Sequence, residues 1–160
     1  MFKKTIFGVS AHLVFLTILI YPSLGFATSY ELYPPHFGVT VSTPLLFSVY
    51  SRFVICSTTY GSTPGAICPQ TTIDLGLNGG KLNAGLIAFG EGGMGELNLS
   101  YLRTWNNVAG LTGGNSNYLG LTAAAHIFKV SVQVGIFDRV SHGESEGRRV
   151  LYNLGVSYGY

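Results

Sequence analysis

The stretch SHGES brings a histidine, a glutamate and two serines into one short segment. A serine nucleophile, a histidine base and a carboxylate are the groups that catalyse acyl transfer. Residues so close in sequence rarely reach catalytic geometry in a flexible loop, so we interpret the segment as a solvated polar loop. An acyl hydrolase or transferase is the alternative, with the candidate residues Ser141, His142, Glu144 and Ser145.

Cys56 and Cys68, the chain's two cysteines, flank the segment STTYGSTPGAI. In an exported protein such a pair predicts a disulfide that closes a short loop, which stabilises the fold by about 3 kcal/mol. No histidine or carboxylate lies between or beside the two cysteines, which disfavours a metal site. We predict no cofactor, because the glycine-rich stretches lack the Lys-Ser/Thr of a phosphate-binding loop.

From His36 onwards, apolar residues recur with a period of two rather than 3.6. The pattern predicts eight segments of roughly 8 to 12 residues, and a tilted strand of about 9 to 11 residues can span a bilayer. Gly79-Gly80 is predicted to form a tight hairpin turn. Aromatic residues near the segment ends resemble the girdles of membrane barrels; they are Phe37, Phe53, Phe89, Trp105, Tyr118, Phe128, Phe137 and Tyr160.

Composition separates the classes of protein that this alternation allows. Only 10% of residues are charged and 47% are hydrophobic, whereas typical soluble domains carry about 25% charged residues. A secreted β-sandwich also alternates, but its second face is usually charged, and here it is made of small residues. The sequence therefore predicts an all-β, eight-stranded antiparallel up-and-down transmembrane barrel over residues 36–160.

The N-terminus has the layout of a secretory signal peptide. Lys3 and Lys4 precede an apolar run, which is followed by small residues at a cleavage site after Ala27. We predict a signal peptide over residues 1–27 and a lead-in over residues 28–35. Without the two lysines, the nine Lys and Arg fall to seven, equal to the seven Asp and Glu, so nucleic-acid binding has no support.

The final strand has apolar or aromatic residues at every second position and ends on an aromatic residue: Tyr152, Leu154, Val156, Tyr158 and Tyr160. In this layout the chain resembles the small eight-stranded outer-membrane barrels of Gram-negative bacteria, of the type of outer membrane protein X and the membrane domain of outer membrane protein A. Such proteins end on an aromatic residue after alternating apolar positions, a signal read by the barrel assembly machinery. The resemblance implies an outer-membrane location, lipid contact and periplasmic termini.

The strand count places five titratable residues inside the barrel, toward its periplasmic end. An eight-stranded barrel is filled by side chains, and unpaired buried charges are costly. We predict a polar network that fills the lumen rather than an open pore, and favour a structural plug over an ion path. Its members are Arg52, Asp74, Glu96, His126 and Lys129. Loops 106–117 and 140–148 are predicted to project from the cell as surfaces for adhesion or a receptor, whose ligand the sequence does not name.

Overall fold

The computed structural model describes residues 30–57, 65–106, 115–140 and 148–159. The predicted signal peptide, the SHGES segment and Tyr160 lie outside these residues. The described part contains nine strands: β1 (Tyr30–Leu32), β2 (His36–Ser42), β3 (Leu46–Ser57), β4 (Ile67–Gly76), β5 (Gly79–Gly90), β6 (Gly93–Thr104), β7 (Ser116–Ile127), β8 (Val130–Arg139) and β9 (Val150–Gly159).

Strands β2 to β9 form a closed barrel in which every neighbouring pair is antiparallel. Each strand pairs with the next along the chain, and β9 returns to β2 through the register Val41↔Val156. The predicted eight-stranded up-and-down barrel is therefore confirmed, and the β-sandwich alternative is wrong. Closure leaves no unpaired edge along this seam.

Strand β1 lies beyond the barrel rather than in its wall. It pairs with the far part of β3, through Leu32↔Ile55, while β2 pairs with β3 from His36↔Arg52 onwards. Pro34 and Pro35 stand between the two strands, where a proline cannot donate a ladder hydrogen bond. The two prolines therefore divide the lead-in from the barrel wall.

The two faces of the wall have opposite polarity. Along β7, Leu121 is 55% exposed on the outside whereas the adjacent Thr122 is 3% exposed inside. The same alternation runs through the other barrel strands, because successive side chains of a strand point to opposite faces. Valine, leucine and isoleucine cover the outside, and serine, threonine, asparagine and charged residues fill much of the inside. No helix in the described ranges is long and apolar enough to cross a membrane.

The two ends of the barrel differ in what connects the strands. At the termini end lie β1, the two cysteines Cys56 and Cys68, and the two-residue turns Glu91-Gly92 and Phe128-Lys129. At the loop end lie the β2–β3 and β4–β5 turns, the last residues of β6 and β8, and the first residues of β7 and β9.

Buried apolar side chains lie inside the barrel as two separate clusters. We call one the loop-end cluster; it contains Leu45, Leu102, Tyr118, Phe137 and Leu151. The other, the termini-end cluster, contains Val54, Cys56, Ala66, Cys68 and Ile87. Tyr118 and Phe137 were predicted to belong to an aromatic girdle, and this is wrong for both. They occupy inward positions of their strands, and their side chains are no more than 1% exposed.

An inward aromatic residue covers the seam where the barrel closes. The Tyr50 ring lies over Gly38 of β2 and Gly159 of β9, because a Cβ atom on either glycine would approach Tyr50 within about 2.5 Å. Glycine at these two positions therefore gives the ring its space. An aromatic side chain over a strand glycine is a known way to stabilise such a site.

Candidate functional site: two polar clusters in the lumen

The first polar cluster centres on the carboxylate of Glu96. The Arg52 Nη2 atom lies 2.6 Å from Glu96 Oε1, and the His126 Nε2 atom lies 2.5 Å from the same oxygen. His126 is on β7, beside β6, but Arg52 is on β3, three strands away around the wall. The guanidinium therefore reaches across the lumen to meet Glu96. We call these three residues the Glu96 cluster.

Neutral amides and an aromatic ring support the Glu96 cluster. Asn98 Nδ2 donates to Glu96 Oε2 at 3.3 Å, and Gln70 Nε2 donates to Asn98 Oδ1 at 3.0 Å. The Arg52 guanidinium lies 5.6 Å from the centre of the Tyr50 ring, within cation–π range. The charges are thus held by four strands, since Gln70 lies on β4 and Asn98 on β6.

A second cluster surrounds Asp74, nearer the loop end of β4. Lys81 Nζ lies 3.2 Å from Asp74 Oδ2, and Asn83 Nδ2 donates to the same oxygen at 3.3 Å. Lys81 also donates to Gln133 Oε1 at 3.0 Å. Gln133 is on β8, three strands from β5, so this contact also crosses the lumen. Asp74, Lys81 and Asn83 form the Asp74 cluster.

The structure distributes the five predicted network residues differently from the sequence analysis. Arg52, Glu96 and His126 meet, but Asp74 is not at the termini end; it lies two residues before Gly76, the last residue of β4. Arg52 and Asp74 are on neighbouring strands, as expected, but the register pairs Asp74 with Tyr50 and Arg52 with Thr72. Lys129 lies in the turn after β7 and does not line the central cavity.

Sequence reasoning missed the pairing of Lys81 with Asp74, and the position of one turn explains why. The turn consists of Leu77-Asn78, whereas Gly79-Gly80 had been predicted as the turn; these glycines begin β5. The register then runs from Gly76↔Gly79 and places Asp74 directly opposite Lys81. Moving the turn by two residues would pair Lys81 with Asn78 instead. The sequence did contain a signal for this pairing, because Asp74 and Lys81 are equally spaced on either side of Leu77-Asn78.

A small polar cavity lies between the clusters. Its volume is about 20 Å³, room for roughly one water molecule. Both Glu96 and Asp74 line it, together with Thr72, Asn83 and Gln133. Thr72 Oγ1, Asn83 Oδ1 and Gln133 Nε2 have no hydrogen-bond partner in the described part of the protein. The cavity can hold a water molecule that hydrogen-bonds these three atoms and so links β4 and β5 to β8 across the lumen.

The predicted disulfide between Cys56 and Cys68 is confirmed. Its Cα atoms are 5.0 Å apart, and both side chains are buried in the termini-end cluster. The bond continues the β3–β4 hairpin beyond its last paired residues, Val54↔Gln70. It therefore joins the two strands where the backbone ladder stops.

The remaining predicted sites divide between described and undescribed residues. Tyr152, Leu154, Val156 and Tyr158 all face outward on β9 and are more than half exposed. Tyr160 lies outside the described residues, as do the four candidate catalytic residues Ser141, His142, Glu144 and Ser145. Within the described ranges, no three His, Cys, Asp or Glu side chains form a group that could hold a metal ion.

Comparison of the chain with protein-family models, curated proteins and solved structures found no match.

Proposed function

We propose that this protein is an integral β-barrel of a bacterial outer membrane with a filled lumen and a structural or surface-interaction role. The observation that carries the proposal is the inverted polarity of its wall. Exposed Leu97 and Leu99 alternate along β6 with buried Glu96 and Asn98. A barrel with this arrangement requires an apolar solvent outside, and a bilayer supplies it.

Strand length supports a membrane-spanning barrel. The seven strands β3 to β9 each contain 10 to 12 residues, which matches the roughly 9 to 11 residues of a tilted spanning strand. Exposed aromatic side chains stand near both ends of the apolar band, with Trp105 at the loop end and Phe37 and Phe128 at the termini end. Amphipathic and aromatic side chains at these heights suit the two membrane interfaces.

The filled lumen disfavours a general porin. Arg52 and Lys81 each reach across the interior, and apolar clusters lie beyond them toward each end. Passage of an ion would require both polar clusters to open. We propose that the interaction role belongs to the loop end of the barrel, which would face the cell exterior, while the termini end would face the periplasm. The outward row from Tyr152 to Tyr158 would be read by the barrel assembly machinery.

Membrane fractionation with heat-modifiable gel migration tests the proposal. Folded barrels resist detergent unless heated, so we expect the protein in the outer-membrane fraction with different mobilities before and after boiling. Purified protein in planar bilayers should show no steady open channel. A soluble product without a mobility shift would overturn the membrane assignment, and steady conductance would overturn the filled lumen.

A further inference from the structure

The outer face at the loop end contains a notch with a cation beside it. Leu75, Gly80 and Arg103 are direct register neighbours on β4, β5 and β6, and they form one outward row. A Cβ atom added to Gly80 would meet only ordinary contacts, at 3.5 Å from Leu75 and 3.6 Å from Trp105. Because Gly80 has no side chain, the outer face has a shallow gap there, lined by Leu75 and Trp105, in the row that continues to Arg103.

Trp105 borders this gap, and Tyr101 lies two residues before Arg103 on the outer face of β6. Trp105 is 42% exposed, and its indole N–H donates to the Leu77 carbonyl at 2.8 Å, which fixes the ring beside the notch. The Tyr101 hydroxyl donates to Asn117 Oδ1 at 2.8 Å. At a membrane interface, aromatic rings of this kind lie at the level of the lipid headgroups.

The charge of Arg103 has no counterpart on the described protein. The four ion pairs among the described residues do not include Arg103, and the outward carboxylate of Asp138 is paired with Arg149. An arginine at an interface favours a phosphate, which it can bind through two parallel hydrogen bonds. The notch thus combines an anion-binding group with an apolar surface.

We propose that this notch binds a phosphorylated glycolipid of the outer leaflet, the lipopolysaccharide class. Arg103 binds a lipid phosphate, and an acyl chain lies over Gly80 against Leu75 and Trp105. The inference rests on the proposed membrane function, which places the loop end in the outer leaflet. It adds a specific lipid site to a surface that otherwise only requires an apolar environment.

Lipid binding to the purified, folded barrel in detergent tests the site. Trp105 is the only tryptophan of the chain, so its emission reports on the notch, and native mass spectrometry counts bound lipid. We expect one tightly bound phosphorylated lipid A and a change in Trp105 emission. Dephosphorylated lipid A, which lacks the charge-assisted contact, and inorganic phosphate, which lacks the acyl contact, should each bind at least about tenfold more weakly.

Variants separate a built site from general attraction to anionic lipid. Arg103→Gln should weaken binding about tenfold or more, and Gly80→Leu should weaken it by filling the notch without changing charge. Arg149→Gln, an exposed arginine at the same end, is the matched control and should leave binding unchanged. Equal binding by wild type and Arg103→Gln, or equal losses in Arg103→Gln and Arg149→Gln, would overturn the inference.

Heat-modifiable migration of each variant distinguishes the two possible failures. A barrel that is heat-modifiable and membrane-bound but binds lipid without regard to Arg103 contradicts the lipid site alone. A wild-type chain that is soluble and not heat-modifiable contradicts the proposed function itself.

Discussion

The two faces of the barrel wall place different demands on their residues. On β6, Leu97 and Leu99 point outward and are 62% and 45% exposed, while Glu96 and Asn98 point inward and are at most 9% exposed. If the proposed bilayer surrounds the barrel, an outward position needs only an apolar side chain, since the lipid is a uniform environment. An inward polar position needs a particular partner at a particular distance. The same strand is therefore permissive on one side and specific on the other.

The largest effect is expected from breaking a specific contact inside. Glu96→Ala should lower the free energy of unfolding by about 3–5 kcal/mol, because it leaves the buried Arg52 without a carboxylate. It also leaves Arg52 facing His126 at 3.4 Å. Urea unfolding in lipid vesicles, followed by Trp105 emission, measures the change.

The double variant Arg52→Met/Glu96→Leu is the control, because it removes both charges instead of leaving one of them without its partner. Removing both charges should cost less than the sum of the two single changes, because neither charge is then left alone. Additive effects would show that the Glu96 cluster does not act as a coupled unit.

A charge placed outside tests the permissive face. Leu121→Arg should lower the free energy of unfolding by about 2–4 kcal/mol if Leu121 faces the bilayer interior. Phe128→Arg is the control, because Phe128 stands in the termini-end turn and is 94% exposed; its cost should be about 0–1 kcal/mol. Urea unfolding in vesicles measures both, and equal costs would argue against an apolar surrounding for Leu121.

The disulfide lies where the inner face of the barrel becomes apolar. We expect its loss to lower the free energy of unfolding by less than the loss of a buried charge does. Cys56→Ala/Cys68→Ala should lower the free energy of unfolding by about 3 kcal/mol or less, because the loop of the unfolded chain is no longer closed. Unfolding with and without a reductant measures it. Reductant should destabilise the wild type and leave the double variant unchanged; a wild type insensitive to reductant would contradict the prediction.

The smallest effect is expected from a polar exception on the outer face. Tyr101→Phe removes the hydrogen bond to Asn117 and should cost about 1 kcal/mol. Tyr152→Phe is the matched control, since the Tyr152 hydroxyl makes no hydrogen bond within the described residues. Identical unfolding curves for the two variants would show that the Tyr101 contact adds nothing.

The sequence allowed the wall to be predicted because strand parity depends only on neighbours in the chain. The eight barrel strands, the facing of Arg52, Asp74, Glu96 and His126, and the disulfide all follow from local pattern or residue type. Tyr118 and Phe137 were misplaced because their position near strand ends outweighed their inward parity.

The pairing of charges inside the lumen could not be derived in the same way. Arg52 meets Glu96 across three strands, so their contact depends on how the sheet curves back on itself. The pairing of Lys81 with Asp74 was missed because the register of β4 and β5 depends on which two residues form the turn. Which side chains meet across the lumen depends both on how the barrel closes and on the register of its strands. Neither property can be read from a single segment of the sequence.

The Tyr50 ring over Gly38 and Gly159 ties the order of folding to the completion of the wall. Gly38 belongs to the first barrel strand and Gly159 to the last. The Tyr50 ring therefore makes all of its contacts only after these two distant parts of the sequence have paired. Such long-range pairing pays its loop-closure entropy before it gains contacts, and it makes folding slow. Tyr50 would then form its complete contacts late in folding, and its ring would hold β2 and β9 together once the barrel has closed.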